Sequence, residues 1–191
     1  MNNSQDQRHE NWLINMALAS RVPEGSRQRQ RLTNFKSTDD NQEAITVIMA
    51  LLDDQLDMPL LLLYGGVGVG KTHLSVAACW EFLEDGHRSL YFQAEELLDA
   101  MRCRLGSDRY EMLIDHLRRT DLLVIDDIGT QSDTPWGMAK MNMVVDIRYR
   151  ERKPLIITAN TLDIPDRILD RMREGRTVRI NGKSYRPGIP G

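Results

Sequence analysis

A glycine-rich segment at residues 65–72, GGVGVGKT, constrains the fold of this chain more than any other feature. It follows an unbroken apolar run at residues 60–64, LLLLY, which is typical of a strand buried on both faces. A helical pattern follows it at residues 72–84 and ends near Gly86. A strand, a glycine loop and a helix in this order are the setting in which GxxxxGK followed by Ser or Thr binds phosphate. The sequence therefore predicts a phosphate-binding loop at residues 65–72, called the phosphate loop below.

The phosphate loop supplies the chemistry that a nucleoside triphosphate requires. Glycine lets the backbone curl so that consecutive amide groups point at phosphate oxygens, and the positive end of the following helix adds to their field. Lys71 supplies a positive charge to the β- and γ-phosphates, and the Thr72 hydroxyl can ligate Mg²⁺. The alternative is a glycine turn with a purely structural role. The predicted nucleotide-binding residues are Gly65, Gly66, Val67, Gly68, Val69, Gly70, Lys71 and Thr72.

A second motif, LLVIDDIG at residues 122–129, places two carboxylates at the end of another apolar run. Adjacent carboxylates repel each other unless a cation lies nearby. We expect Asp126 to help hold Mg²⁺, and Asp127 to orient or polarise the attacking water. A solvated acidic turn is the alternative. Many ATPases of this type carry Glu at the second position; because Asp is one methylene shorter, we expect slow intrinsic hydrolysis.

Polar residues farther along the chain are candidates for the same site. Asn160 ends the apolar run IITAN, where it can bond the attacking water or the γ-phosphate, or simply end a strand. Arg167 and Arg171 are four residues apart and share a helix face. Arginine forks suit phosphate oxygens, so one of the two can reach the nucleotide of a neighbouring subunit. The alternative is local pairing with Asp166, Asp170 or Glu174.

The remaining pattern alternates strands and helices. We predict further strands at residues 88–92, 121–125, 155–158 and 177–180. We predict further helices at residues 41–55, with Asn41 as the N-cap, and at residues 94–105, 108–119, 136–152 and 163–173. Such alternation indicates an α/β fold with a five-stranded parallel sheet between two helical layers. Ligands of such sheets bind outside the carboxyl ends of the strands.

Composition excludes several classes of protein. The formal net charge is −3, which excludes a wholly basic nucleic-acid binder but not a local basic groove. No apolar run approaches the roughly 20 residues of a membrane helix, and the polar N-terminus has no signal-peptide core. Cys79 and Cys103 lack the spacing of a zinc site. We therefore expect a cytoplasmic protein with no membrane partner.

Two units are predicted along the chain. Residues 1–40 form a short N-terminal segment, with an amphipathic helix at residues 10–20 and a linker at residues 21–31. The linker is either solvated or a basic arm that touches DNA or a partner, and the segment as a whole is a candidate partner-docking element. Residues 41–191 form the nucleotide-binding core. Within the core, the basic run Arg148, Arg150, Arg152 and Lys153 favours a helix C-terminus or a DNA contact.

Taken together, GGVGVGKTHL, DLLVIDDIGTQ, DRMREG and KSYR resemble the DnaC branch of AAA+ ATPases, the bacterial replicative helicase loaders, and more distantly the transposition helper IstB. The resemblance covers residues 32–186. It implies a P-loop NTPase fold of the ASCE/AAA+ class without a C-terminal lid domain, ATP and Mg²⁺ as cofactors, and ATP hydrolysis. It also implies that Asn160 is a sensor, Arg171 a trans arginine finger with Arg167 as its companion, and Arg186 a second sensor near the γ-phosphate.

The same resemblance implies single-stranded DNA binding inside a ring of subunits. Thr134 and Trp136 fall where the family places a hydroxyl and an aromatic that contact DNA, and Trp can stack on any base. Packing at a helix start is the alternative for Trp136. Leu105 falls where some loaders carry an aromatic. Unlike DnaC-type loaders, which carry a separate N-terminal helicase-binding domain, this chain has only about 30 residues before its core.

The resemblance therefore predicts an ATP-dependent helicase loader in DNA replication. It would bind a DnaB-type replicative helicase through an ATP-switched oligomer, an open ring or a filament. The alternatives are an IstB-like ATPase helper of transposition and a nucleotide-dependent adaptor with little turnover.

Overall fold

The computed structural model describes residues 15–16, 19–23, 25–129, 134–182 and 184–185. Its strands are β1 (Leu60–Tyr64), β2 (Ser89–Gln93), β3 (Leu122–Ile128), β4 (Leu155–Ala159) and β5 (Arg176–Arg179). Its helices are α1 (Gln42–Leu52), α2 (Lys71–Glu84), α3 (Ala94–Arg102), α4 (Asp108–Arg119), α5 (Pro135–Arg150) and α6 (Asp166–Glu174), preceded by a 3-10 turn at Leu32–Asn34.

The five strands form one parallel sheet in the order β2-β3-β4-β1-β5, which confirms the predicted fold class. Because the strands are parallel, the phosphate loop after β1 and the acidic pair near the end of β3 lie at the same edge of the sheet, with the end of β4 between them. Within the described residues no helix follows β5. None of the helices in that part of the chain is long and apolar enough to cross a membrane.

Strand β1 is buried on both faces, as its apolar run predicts. Leu61 and Leu63 pack in the core that α1 and α2 cover, whereas Leu60 and Leu62 face the core on the other side, with residues of α3, α5 and α6. All four leucines are completely shielded from solvent. A strand that is apolar at every position has no solvent-facing side, so it must lie in the interior of a covered sheet.

Two helix ends and one predicted cap differ from prediction for local reasons. Helix α1 ends at Leu52 rather than near residue 55, because Asp54 is left-handed with φ 53°. Helix α6 begins at Asp166 rather than at residue 163, because the residue before Pro165 is disfavoured in the helical region. Asn41 is the N-cap residue, but its side chain accepts from the Thr38 amide instead of capping the helix.

The prediction of a solvated linker at residues 21–31 is wrong for the described residues. Arg31 donates to Glu81 and Glu84 of α2, and these hydrogen bonds lower the pKa of Glu84. Trp80 Nε1 donates to the hydroxyl of buried Ser26 at 2.9 Å. The segment therefore packs on α2. The predicted helix at residues 10–20 lies largely outside the described residues, and the boundary at residue 40 stays a prediction.

Arg148 lies in the last turn of α5, which agrees with the predicted basic helix C-terminus, but it is completely buried and therefore cannot contact DNA. Its guanidinium donates to the backbone carbonyls of Leu117, Arg118, Thr120, Asp121 and Pro154. Burial lowers its pKa to about 10, which leaves it charged at neutral pH. The side chain therefore fastens the end of α4 to the starts of β3 and β4.

We predict that Arg148→Met lowers the free energy of unfolding by about 3 kcal/mol or more, because it leaves buried carbonyls without donors. Urea denaturation followed by circular dichroism measures the loss. Arg150→Met is the matched control, since Arg150 lies on the same helix but is exposed, and we expect a change below about 0.5 kcal/mol. Equal losses in the two variants would contradict the anchoring role of Arg148.

Candidate functional site

A cleft of about 550 Å³ opens at the carboxyl ends of β1, β3 and β4. Its floor is the phosphate loop and the first turn of α2. The strand ends contribute polar side chains, and a wall comes from residues before α1 and after β5. The lining residues include Phe35, Lys36, Val67, Gly68, Gly70, Lys71, Thr72, His73, Gln93, Asp126, Asp127, Thr158, Asn160 and Tyr185.

Two glycines of the phosphate loop cannot be replaced without displacing the backbone or an aromatic ring. A Cβ on Gly65 would lie 2.1 Å from the carbonyl oxygen of Ile180, which follows β5. Gly70 has φ 106°, and its Cβ would lie 2.5 Å from the ring of Phe35. Gly70 is also the residue from which α2 begins, so the positive end of the helix faces the cleft.

Lys71 lies at the mouth of the phosphate loop, and 7% of its surface is exposed. Its ammonium donates to the carbonyl oxygens of Gly65 and Gly66, both at 2.8 Å, and to Asn160 Oδ1 at 3.0 Å. Asn160 Nδ2 in turn donates to Asp127 Oδ1 at 2.9 Å. Asn160 therefore connects the lysine of the loop to the second acid of the pair.

Asp126 is buried, and its carboxylate faces the first turn of α2. It accepts hydrogen bonds from the hydroxyls of Thr72 at 2.9 Å, Tyr91 at 2.7 Å and Thr158 at 2.6 Å. Burial, and then the negative charge of Asp126, raise the pKa of Tyr91, so its hydroxyl keeps its proton and acts as a donor. A hydroxyl and a carboxylate in contact are the hard oxygen ligands that Mg²⁺ prefers, so Thr72 and Asp126 fit this ion.

Asp127 differs sharply from its neighbour, because the β3–β4 register contains a bulge. Ile125 pairs with Ile157 and Ile128 with Ala159, so β3 carries one extra residue between the two pairs. Asp127 takes φ 58°, its amide donates to Thr158 Oγ1, and its side chain is exposed in the cleft. The bulge also explains why β3 runs to residue 128 rather than ending at 125. One acid is thus buried and the other is open to solvent.

Three ring side chains form one wall of the cleft, and two of them belong to segments that carry the family resemblance: His73 to GGVGVGKTHL and Tyr185 to KSYR. The ring of Phe35 contacts those of His73 and Tyr185 edge-on, with centroids 5.0 Å and 6.2 Å apart. The Tyr185 amide donates to the Gly68 carbonyl at 2.9 Å. Because these rings are brought together only by folding, no local signal in the sequence predicts their contacts. The same holds for the contact that Tyr91, in the middle of β2, makes with Asp126.

Arg167 and Arg171 do not line the cleft of their own chain. Both pair with Asp146 of α5, and Arg171 also donates to Glu174 at 3.3 Å. The guanidinium carbon of Arg171 lies 4.3 Å from the ring centroid of Tyr149. Of the predicted local pairs, the structure thus shows that of Arg171 with Glu174. The role of either arginine toward a neighbouring subunit stays a prediction.

The predicted DNA contacts lie at the start of α5, and both have structural roles there. Thr134 is the N-cap of α5, and its hydroxyl accepts from the Gly137 amide at 3.0 Å. Trp136 is half-buried against the core, with the guanidinium of Arg102 4.9 Å from its ring. A DNA-binding role for either residue stays a prediction. The predicted second sensor, Arg186, lies outside the described residues.

Comparison with protein families finds a match to the IstB-like ATP binding protein family over residues 5–188. The replicative helicase loader DnaC of Escherichia coli K12 is 33% identical over 137 residues, which cover 66% of this chain and 56% of that protein. The chain therefore matches little more than half the length of this curated relative.

Solved structures share the fold. The replication initiator DnaA, solved with AMPPCP and single-stranded DNA, superposes with a TM-score of 0.74 and 27% identity, over 81% of this chain and 50% of that one. The crystal structure of DnaI gives a TM-score of 0.70 and 23% identity, over 86% and 94% of the two chains. Because the family match spans nearly the whole sequence and the sheet and loop have the AAA+ arrangement, this chain belongs to the family of IstB-like ATP-binding proteins.

Proposed function

We propose that this protein is an ATP-dependent helicase loader that assembles with copies of itself, binds single-stranded DNA and delivers a DnaB-type replicative helicase to it. One observation carries the nucleotide part of this proposal. The ammonium of Lys71 and the contact between Thr72 and Asp126 meet at the mouth of the phosphate loop. Positive charge and hard oxygen ligands thus lie beside the amides that would hold a triphosphate.

In the proposed complex, the loop amides and Lys71 bind the phosphates, while Thr72 and Asp126 hold Mg²⁺. The metal ion would neutralise charge that develops on the β- and γ-phosphate oxygens. Among the described residues, Lys71 donates to three neutral oxygens, those of Gly65, Gly66 and Asn160. An incoming phosphate would offer the ammonium charged oxygens, which form stronger hydrogen bonds than neutral acceptors do.

Hydrolysis of ATP is assigned to Asp127 and Asn160. Asp127 is the exposed acid of the pair, and its carboxylate can accept a proton from the attacking water. Asn160 donates to Asp127 at 2.9 Å, which fixes the direction of that carboxylate. The short side chain of Asp127 supports slow turnover in the isolated protein, since its reach toward the γ-phosphate is limited.

We assign Arg171 as a finger that reaches the nucleotide of a neighbouring subunit, with Arg167 beside it and Arg186 as a second sensor. The support for the assignment of Arg171 is its position in the fold. Arg171 lies on α6 outside the cleft of its own chain, and about a third of its side chain is exposed. A guanidinium placed there can meet a γ-phosphate only across an interface between two copies.

The proposals that the chain binds DNA and a helicase rest on the proteins to which it is similar. The DnaA structure contains single-stranded DNA, and DnaC is named as a replicative helicase loader. In this chain, Trp136 keeps part of its ring exposed and the Thr134 hydroxyl retains a hydrogen to donate. We assign these two residues as DNA contacts.

A second candidate function is that of an ATPase helper of DNA transposition, which the IstB-like family match favours. A third is an adaptor that binds nucleotide and hardly turns over.

For ATP hydrolysis, we predict slow turnover by the protein alone and faster turnover with single-stranded DNA, measured as phosphate release. Lys71→Ala should reduce both rates about a hundredfold, the cost of removing one preorganised charge from a transferring group. Lys153→Ala is the control for the rate without DNA, because Lys153 lies before the amino end of β4, at the opposite end of the sheet, and it should leave that rate unchanged. If the unsubstituted protein hydrolyses ATP no faster than Lys71→Ala does, only the adaptor function remains.

For assembly, we predict that Arg171→Ala preserves ATP binding by the monomer but abolishes ATP-dependent association, measured by sedimentation velocity. Arg173→Ala is the matched control, since Arg173 is on the same helix, is exposed and, among the described residues, pairs with Asp170 of that helix. Weakened ATP binding by monomeric Arg171→Ala would instead place this side chain in its own site.

For the partner, we predict that the tagged full chain retains a DnaB-type helicase from the same organism in the presence of ATP, and that Lys71→Ala does not. Retention of a transposase and not of the helicase would favour the transposition helper.

A further inference from the structure

Two hydroxyls besides that of Thr72 contact Asp126. Tyr91, on the edge strand β2, donates to Oδ2 at 2.7 Å, and Thr158, on β4, donates to Oδ1 at 2.6 Å. Strand β3, which carries Asp126, lies between these two strands. Each oxygen of the acid therefore has its own donor, and the two donors come from the strands on either side.

The remaining capacity of this carboxylate points toward α2. Each carboxylate oxygen can accept about two hydrogen bonds. With Tyr91 and Thr158 each occupying one position, both oxygens still reach the Thr72 hydroxyl, at 2.9 Å for Oδ2 and 3.2 Å for Oδ1. The part of the Asp126 carboxylate that remains available to a metal ion therefore lies beside Thr72, the other proposed ligand of that ion.

We propose that Tyr91 and Thr158 act as a hydroxyl clamp, a pair of positioning residues that aim Asp126 at Thr72 and thereby set the magnesium concentration at which the protein holds ATP. This inference rests on the proposed binding of Mg-ATP. It assigns to Tyr91, a core residue outside every motif of the sequence, a part in metal binding.

Tyr91 is held in a fixed position, as a residue that positions Asp126 must be. Its side chain is 96% buried in the core beneath α2, with 4% of its surface exposed, and its backbone amide donates to the Ser20 carbonyl at 2.8 Å. The backbone partner of Tyr91 in the sheet is Val124, two residues before Asp126. Since ring and backbone are both fixed, the hydroxyl has a defined position relative to the acid, to which it donates.

Thr158 couples the two acids of the pair. Its hydroxyl donates to Asp126 while it accepts from the Asp127 amide at 2.8 Å. The same oxygen therefore holds the metal-facing carboxylate and supports the left-handed backbone of the bulge. Partners of metal ligands commonly change metal affinity or activity by 10–100-fold when they are removed, as a rough guide to the effect expected here.

The test measures binding of a fluorescent ATP analogue by the full chain at increasing Mg²⁺ concentration. Tyr91→Phe removes one hydroxyl and keeps the ring, and we expect it to raise the half-saturating Mg²⁺ concentration about tenfold. Affinity for the analogue in EDTA should not change, because the phosphate loop is untouched. Tyr110→Phe is the matched control: it too removes a hydrogen-bonded hydroxyl, which contacts Lys140 on α5, and its magnesium requirement should equal that of the unsubstituted protein.

A second pair of variants decides the question if Tyr91→Phe fails to fold, as judged by its thermal melting curve. Thr158→Ser keeps the hydroxyl and should retain the original magnesium requirement, whereas Thr158→Val should raise it. A magnesium requirement unchanged by the loss of either hydroxyl overturns the clamp, while nucleotide binding itself persists. Absence of analogue binding by the unsubstituted chain at every magnesium concentration would instead overturn the proposed function and the clamp with it.

Discussion

Burial of β1 on both faces is the constraint on which the rest of the structure depends. Its four leucines have no solvent-facing side, so the strand must lie within the sheet, with β4 and β5 as its neighbours. Because the ladders are parallel, the phosphate loop at the end of β1 meets the ends of β4 and β3 at one edge. The polar residues of the cleft are brought together by this requirement to bury apolar side chains, and their chemistry follows from their position.

The bulge in β3 divides the work between two adjacent carboxylates. In a regular strand, Asp126 and Asp127 would point to opposite faces of the sheet. The extra residue and the left-handed backbone of Asp127 keep the first acid buried beside Thr72 and turn the second into the cleft. A backbone conformation that costs of the order of 1–3 kcal/mol is thus retained at the position where water would be activated.

Sequence predicts the parts of this protein that depend on neighbouring residues. The phosphate loop, the acidic pair and the alternation of strands and helices are local patterns, and the sheet they imply is confirmed. Roles that depend on distant contacts escape such patterns. Arg148 resembles any charge near a helix end until folding encloses it in backbone carbonyls, and Tyr91 resembles any strand aromatic until Asp126 is placed beside it. The periodicity predicts a start for α6 three residues too early, because Pro165 outweighs helical periodicity.

The aromatic wall of the cleft has a thermodynamic consequence. Phe35 and Tyr185 come from segments 150 positions apart, and each contacts the phosphate loop, through the space above Gly70 and through the carbonyl of Gly68. Order in these two flanking segments and the shape of the loop are therefore parts of one equilibrium. A ligand that binds the cleft in this arrangement therefore also stabilises both flanks, by an amount set by its concentration relative to its dissociation constant.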